Sequence, residues 1–246
     1  PKKNNVLINV KSCGMCGTDL KIFNFGSKRV KKNRVMGHEI SGKIIAVPKS
    51  QKYFKKDENI ILGADIEGEK INKDFALGHE VDGGFQKYLS INAKLLKRVP
   101  HFKTKKKIDY DLASMTEPLA CCINGVEKIN LKPNNKVIIF GSGTIGQLIA
   151  KLCILFKSKK VYLIDKNKFK LKNGIKDKNI IKMDYTNFKK KLINKIDDIK
   201  YIFVACSSLE AQQNAIDSGS KNATINFCAG LPKINGSDPA VKINTN

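Results

Sequence analysis

A glycine-rich turn between two apolar runs is the feature that most constrains how this chain can fold. Residues 137–140 form a short apolar run, and the pattern G-x-G-x-x-G follows at residues 141–146. Apolar residues then recur on one helical face up to Phe156. A second apolar run, residues 161–164, ends at Asp165, about twenty residues after the turn. This order predicts a strand, turn, helix and strand that bind a dinucleotide.

Each glycine of the turn has a separate physical reason. Gly141 permits the tight turn, Gly143 lets the backbone approach a pyrophosphate, and Gly146 lets the helix pack closely on the strand. The free N–H groups at the helix N-terminus then face the phosphates. The alternative is a parallel-sheet domain in which these glycines are only turn residues and Asp165 is solvated.

The acid at the end of the second run indicates which cofactor is bound. Asp165 can accept hydrogen bonds from the adenosine ribose, and its charge repels a 2′-phosphate, so NAD is favoured over NADP. Lys166, Lys168 and Lys170 weaken this preference because they could attract a phosphate.

The pattern of apolar runs in the sequence changes near Pro118. Before it, short apolar runs at residues 6–10, 40–47, 60–62 and 85–91 are separated by Gly, Pro, Lys and Asn, which predicts a β-rich domain. After it, runs at 137–140, 161–164, 180–181, 201–205 and 224–227 alternate with helical stretches, which predicts a parallel sheet. We therefore expect two domains, residues 1–118 and 119–246.

Charge and cysteine content narrow the class of protein. The net charge is +24, but the lysines are spread along the chain, and the clusters at 105–107 and 189–191 lack the interleaved aromatic residues of a nucleic-acid surface. No apolar run reaches the about 18 residues of a membrane helix, and residues 1–5 do not begin a signal peptide. Seven cysteines, an odd number, indicate a reducing compartment. We expect a cytoplasmic protein that binds neither nucleic acid nor membrane.

Three short motifs in the first part of the chain carry metal-binding residue types. Cys13 and Cys16 form C-x-x-C within CGMCGTD, GHE occupies residues 37–39, and TEP occupies residues 116–118. The cysteine pair alone could be half a zinc finger or a redox pair. A second C-x-x-C is absent from the sequence. A thiolate, an imidazole and a carboxylate are suitable ligands for a catalytic zinc.

In this order, CGMCGTD, GHE, TEPLA and the nucleotide turn resemble the zinc-dependent medium-chain dehydrogenase/reductase family, and within it the sorbitol and threonine dehydrogenase branch. The resemblance implies an α/β plus β fold, in which a GroES-like β-barrel catalytic domain (1–118) is joined to a Rossmann domain (119–246). It also implies hydride transfer between NAD and a secondary alcohol, which would be a polyol, a sugar alcohol or a threonine-like substrate. The partners would be that small molecule and, at full length, further copies of the chain in a homo-oligomer.

The same resemblance assigns roles to single residues. The zinc ligands would be Cys16, His38, Glu39 and Glu117. Glu39 and Glu117 would bind directly or through water, Asp19 would orient a ligand and Cys13 would pack. Thr18 would pass on the alcohol proton, and Lys21 stands where relatives carry the His that ends the proton relay. The cofactor would contact Gly141, Gly143, Thr144, Ile145, Gly146, Asp165 and Lys170.

The sequence also departs from the family pattern. Residues 62–77 hold no cysteine where many relatives carry a structural zinc lobe, so we expect one catalytic zinc and no structural one. Family members have further strands before residue 6, and a last sheet strand and return segment after residue 246. We therefore expect the 246-residue chain alone to be poorly stable and weakly active.

Three alternatives stay open at this point. A second Gly-His-Glu places His79 before the GGF segment, and there we expect a loop residue facing the substrate rather than a zinc ligand. The chain could be a metal-free NADPH reductase of the same fold, which would not need Cys16. It could also be an inactive nucleotide-binding remnant.

Overall fold

The computed structural model describes residues 3–30, 33–66, 75–191 and 198–231. By its internal contacts the chain divides into two units, Pro1–Pro118 and Leu119–Asn246. Residues 67–74, in the segment where we expect no structural zinc lobe, lie outside the described residues, as do residues 232–246.

The first unit is built on an antiparallel sheet of the strand order β6-β1-β2-β3-β7. Its strands and helices in chain order are β1 (Asn5–Gly14), α1 (Gly17–Phe25), β2 (Glu39–Ala46), β3 (Asn59–Leu62), β4 (Asp65–Ile66), β5 (Phe75–Ala76), β6 (Tyr88–Asn92), α2 (Ala93–Leu96), β7 (His101–Thr104) and α3 (Tyr110–Ser114). β4 and β5 pair separately.

Alternation along these strands gives the first unit its core. In β6 the buried residues Leu89 and Ile91 alternate with exposed neighbours, as in a sheet with one solvent-exposed face. They join an aliphatic cluster that includes Ile8, Ile40 and Ile60. The predicted β-rich first part is confirmed.

The second unit is a parallel sheet of the order β10-β9-β8-β11-β12 with helices in the connections. Its elements, with α4 beginning just before it, are α4 (Thr116–Lys128), β8 (Lys136–Phe140), α5 (Thr144–Leu155), β9 (Lys160–Asp165), α6 (Lys168–Asn173), β10 (Ile180–Asp184), α7 (Tyr185–Lys191), β11 (Ile199–Val204), α8 (Leu209–Ser218) and β12 (Thr224–Phe227). Counted from β8, this is the order 3-2-1-4-5 of a Rossmann sheet, and the strand order reverses between β8 and β11.

Both faces of the parallel sheet are covered. Within β8, Val137 and Ile139 pack into one hydrophobic cluster, whereas Ile138 and Phe140 pack into another. Burial on both sides explains why this strand is a continuous apolar run without alternation. The predicted parallel sheet is confirmed. Among the described residues, no helix has the length and apolar character that crossing a membrane requires.

Two boundaries differ from the sequence prediction. β1 continues through Cys13 to Gly14, and helix α1 follows at once, although no apolar periodicity predicts that helix. The run predicted from Phe85 becomes a strand only at Tyr88, because the N–H of Phe85 donates to the carbonyl of Met36 in a separate loop contact.

Candidate metal centre and nucleotide site

Antiparallel pairing of β1 with β2 brings two distant motifs together. Cys13 pairs with Ile40, and Gly14 pairs with Glu39. The chain leaving β1 therefore passes beside the chain entering β2. A Cβ on Gly14 would lie 1.9 Å from Oε2 of Glu39, so this glycine leaves the space that the glutamate carboxylate fills.

Three of the predicted ligands converge at this end of the ladder. One ligand atom each from Cys16, His38 and Glu39 lies within 4.8 Å of the other two, the one such group that the described part of the chain contains. His38 and Glu39 are buried and Cys16 is half-buried. Sulfur, imidazole nitrogen and carboxylate oxygen at this spacing fit a zinc ion that keeps a position open for a further ligand.

The electrostatics of the cluster suit a cation. A hydrogen bond with His38 lowers the pKa of the Cys16 thiol, against the effect of its burial. Burial opposes protonation of His38, yet the hydrogen bond with Cys16 and the charges of Asp19, Cys16 and Glu117 raise its pKa to about 9. Burial raises the pKa of Glu39, and the charge of Glu117 adds to this. Negative charge thus accumulates where a cation would neutralise it.

Asp19 connects the thiol and the imidazole. The backbone N–H of Cys16 donates to Oδ2 of Asp19 at 2.9 Å, and the N–H of Thr18 donates to Sγ of Cys16 at 3.5 Å. Together these bonds form a capping box at the start of α1. The other oxygen of Asp19, Oδ1, lies 3.7 Å from Nδ1 of His38, and both atoms are buried without a hydrogen-bond partner. The carboxylate therefore stands behind the imidazole, as a group that orients a metal-binding histidine does.

The remaining predicted residues lie around this cluster. Glu117, in the first turn of α4, lies outside the close group of three, and its charge raises the pKa values of His38 and Glu39. Thr18 is exposed in the first turn of α1, and Lys21 follows one turn later. Three residues apart, these two side chains share a helix face.

His79 lies in a loop beside His38, and its expected role as a residue that faces the substrate stays a prediction. Its ring centroid is 5.6 Å from that of His38, with the planes tilted by 41°. Its Nδ1 lies 3.3 Å from the carbonyl oxygen of Leu77. Glu80 anchors the loop, since it pairs with Arg29 at 2.7 Å and accepts the N–H of Ala76 at 2.9 Å. The repeated Gly-His-Glu was the sequence signal for this loop.

The glycine turn of the second unit has the geometry of a phosphate cradle. Gly141 has φ +102°, and a Cβ there would lie 2.8 Å from the carbonyl oxygen of Ala205. A Cβ on Gly146 would lie 1.8 Å from the carbonyl oxygen of Gly141, whereas one on Gly143 would enter open space. Helix α5 begins at Thr144, and its N-cap Gly143 offers no side-chain cap. The first N–H groups of α5 are thus available to an anion, so the residues fit a dinucleotide.

Asp165 is held in place at the end of β9. The N–H of Ser142 donates to its Oδ2 at 2.6 Å, and the N–H of Asn167 donates to its Oδ1 at 2.7 Å. The carboxylate therefore ties the glycine turn to the second strand, and its remaining lone pairs can accept ribose hydroxyls.

An open cavity lies beside this carboxylate. Its lining comes from the carboxyl ends of the strands and from the turns and helix starts that follow them, namely Phe140, Gly141, Ile164, Asp165, Lys166, Tyr185, Cys206, Ser208 and Ala211. Ligands of open parallel sheets bind at this edge, next to the point where the strand order reverses. Sequence reasoning missed Tyr185, Cys206 and Ser208, for which a position just after a strand was the available signal.

Of the residues predicted to contact the cofactor, Gly141 and Asp165 belong to this lining, whereas Gly143, Thr144, Ile145, Gly146 and Lys170 do not. Ile145, in the first turn of α5, is half-buried and packs against the core of the second unit. Lys170 is exposed on α6, where its N–H donates to Oδ1 of Asn167 at 3.2 Å.

The chain is similar in sequence to known dehydrogenases. The profile of the alcohol dehydrogenase GroES-like domain matches residues 2–101. The L-threonine 3-dehydrogenase of Bacillus licheniformis is 30% identical over 183 residues, which are 69% of this chain and 51% of that protein. The L-galactonate-5-dehydrogenase of Escherichia coli K12 is 29% identical over 160 residues, 59% of this chain and 44% of that protein. The chain thus spans about half the length of the curated relatives it matches.

A solved structure matches nearly the whole chain. Galactitol-1-phosphate dehydrogenase from Escherichia coli superposes with a TM-score of 0.79 at 19% identity, over 95% of this chain and 70% of that one. The predicted fold class, a GroES-like domain followed by a Rossmann-type parallel sheet, is confirmed.

Proposed function

We propose that the chain acts as a zinc-dependent dehydrogenase that oxidises a secondary alcohol with NAD, because it belongs to the medium-chain dehydrogenase/reductase superfamily. The observation that carries this proposal is the convergence of Cys16, His38 and Glu39 within 4.8 Å. A metal-free reductase of the same fold has no physical need for a half-buried thiol beside a buried imidazole and a buried carboxylate at that spacing.

The chain's residues divide the chemical work between the two units. A zinc ion held by Cys16, His38 and Glu39 would supply Lewis acidity toward an alcohol oxygen, and NAD would accept the hydride. Asp19 orients the His38 ring through the 3.7 Å contact between Oδ1 of Asp19 and Nδ1 of His38. The hydroxyl of Thr18, exposed one turn before Lys21, would take up the alcohol proton.

In the second unit, the turn at Gly141, Gly143 and Gly146 binds the pyrophosphate, with the N–H groups that open α5 at Thr144 and Ile145. Asp165 accepts the ribose hydroxyls, and its charge favours NAD over NADP. Lys170, on α6, would contact the cofactor near Asp165.

The substrate class that we propose is a polyol, a sugar alcohol or a threonine-like alcohol. The named relatives act on threonine and on a sugar acid, in which a secondary alcohol has polar neighbours. Glu117 adds negative charge beside the metal ligands, and the His79 ring adds a polar edge beside His38. These polar groups suit a hydroxyl-rich molecule better than a simple alkyl alcohol. Seven cysteines without a disulfide suit a reducing cytoplasm.

Metal content per chain tests the proposal directly. About one zinc per wild-type chain and none in Cys16→Ser would support a single catalytic site. A screen of polyols and threonine with NAD should then follow. A folded, NADPH-binding protein that takes up no zinc would instead support the metal-free reductase, and a protein that binds neither zinc nor nucleotide would support an inactive remnant.

A further inference from the structure

An ion pair stands at the rim of the nucleotide cavity. Lys166 directly follows Asp165 at the end of β9, and its side chain lines the cavity. Its Nζ lies 2.8 Å from Oε2 of Glu210, in the first turn of α8. The same Nζ lies 5.0 Å from the ring centroid of Tyr185, which also lines the cavity. The lysine side chain thus reaches from β9 to α8 along the cavity rim.

The position of this lysine matters for a nucleotide. In a Rossmann site the acid after the second strand meets the ribose hydroxyls, and a cation close to it accommodates a 2′-phosphate. Lys166 is the cation adjacent to that acid in the chain. In the observed arrangement Glu210 holds its ammonium group, so the charge that a 2′-phosphate would need is already neutralised.

We propose that Glu210 is a specificity-determining residue, which keeps the site selective for NADH over NADPH by holding Lys166 in an ion pair. The proposal rests on the proposed function, because it takes a nicotinamide dinucleotide as the ligand of this cavity. Asp165 repels a 2′-phosphate directly, whereas Glu210 pairs with the Lys166 ammonium group that would otherwise attract that phosphate.

The ion pair is partly exposed, which sets the size of the expected effect. Side chains of Lys166 and Glu210 are 66% and 43% exposed, so water screens their attraction. One such contact between unit charges in water corresponds to about a fivefold change in a binding constant. Lys168 and Lys170 remain in every variant considered below, so they contribute equally throughout.

Direct binding titrations test this assignment without any turnover. Dissociation constants for NADH and NADPH are measured by nicotinamide fluorescence on wild type, Glu210→Gln and the double variant Glu210→Gln/Lys166→Gln. Glu127→Gln is the matched control, because it removes one exposed negative charge from α4, outside the cavity lining. Circular dichroism verifies that each variant is folded.

We expect Glu210→Gln to tighten NADPH binding about fivefold relative to NADH. Glu127→Gln should leave the ratio of the two constants unchanged, and the double variant should lose the gain. An unchanged ratio in Glu210→Gln, or a gain that survives in the double variant, would overturn the assignment while leaving the dehydrogenase proposal intact. Failure of wild type to bind either nucleotide would overturn both.

Discussion

A Cβ on Gly83 would lie 2.0 Å from the carbonyl oxygen of Gly37. The segment after the His79 loop therefore packs directly on the backbone that leads into His38. The N–H of Gly84 donates to that same carbonyl at 2.8 Å. The position of His38, a candidate zinc ligand, therefore depends on Gly83 having no side chain.

We expect Gly83→Ala to destabilise the protein by about 3 kcal/mol and to weaken zinc binding, because backbone must move to admit the methyl group. Chemical denaturation and metal titration measure the two effects. Gly17→Ala is the matched control, since a Cβ there meets nothing within 4 Å. Equal stability of the two variants would contradict the close packing.

Asp19→Asn should weaken zinc binding by about tenfold and leave α1 intact. The amide oxygen can still accept the N–H of Cys16, but the charge that stands 3.7 Å from Nδ1 of His38 is lost. Competition with a chelator measures the affinity. Asp111→Asn, which removes an exposed carboxylate from α3, should have no such effect. If the two variants bind zinc equally, Asp19 has no orienting role.

In protein stripped of metal, iodoacetamide at neutral pH should label Cys16 well before Cys13. The thiolate is the reactive form, and its fraction at a given pH rises as the pKa falls. The hydrogen bond with His38 lowers the pKa of Cys16, whereas burial raises the pKa of Cys13 to about 12. Peptide mass spectrometry resolves the two sites. Added zinc should protect Cys16, and labelling of Cys13 at the same rate would contradict the assignment.

Two alanine substitutions in the nucleotide turn should separate binding from folding. Gly143→Ala places its Cβ in open space, so the fold should persist while NADH binding weakens by about tenfold. Gly146→Ala places its Cβ 1.8 Å from the carbonyl oxygen of Gly141, so it should also lower the thermal midpoint. Fluorescence titration and thermal unfolding measure both properties. Undiminished NADH binding by Gly143→Ala would mean that no pyrophosphate lies on this turn.

The nucleotide half was predictable from the sequence because its signals are local. Turn, helix and acid follow one another from Gly141 to Asp165, so their spacing alone predicts their arrangement. The ion pair of Lys166 with Glu210 was not predictable, because it joins the end of β9 to the first turn of α8, which follows β11 in the sheet.

The metal-binding residues of the first unit could be predicted only from the resemblance to a known family. Cys16 meets His38 through the antiparallel register of β1 and β2, which no spacing rule specifies. Helix α1 escaped prediction because Leu20, Phe23 and Phe25 are exposed and mark no buried face. A polar cap built from Cys16 and Asp19 starts this helix instead.

The Cys16 sulfur takes part both in this helix cap and in the candidate metal centre. Sγ of Cys16 accepts the N–H of Thr18 at the start of α1, and the other lone pairs of the same thiolate can bind a metal. The start of the helix that carries Thr18 and Lys21 and the candidate metal centre therefore share one atom. Replacing Cys16 by a residue without a side-chain acceptor would remove a helix cap as well as a candidate ligand.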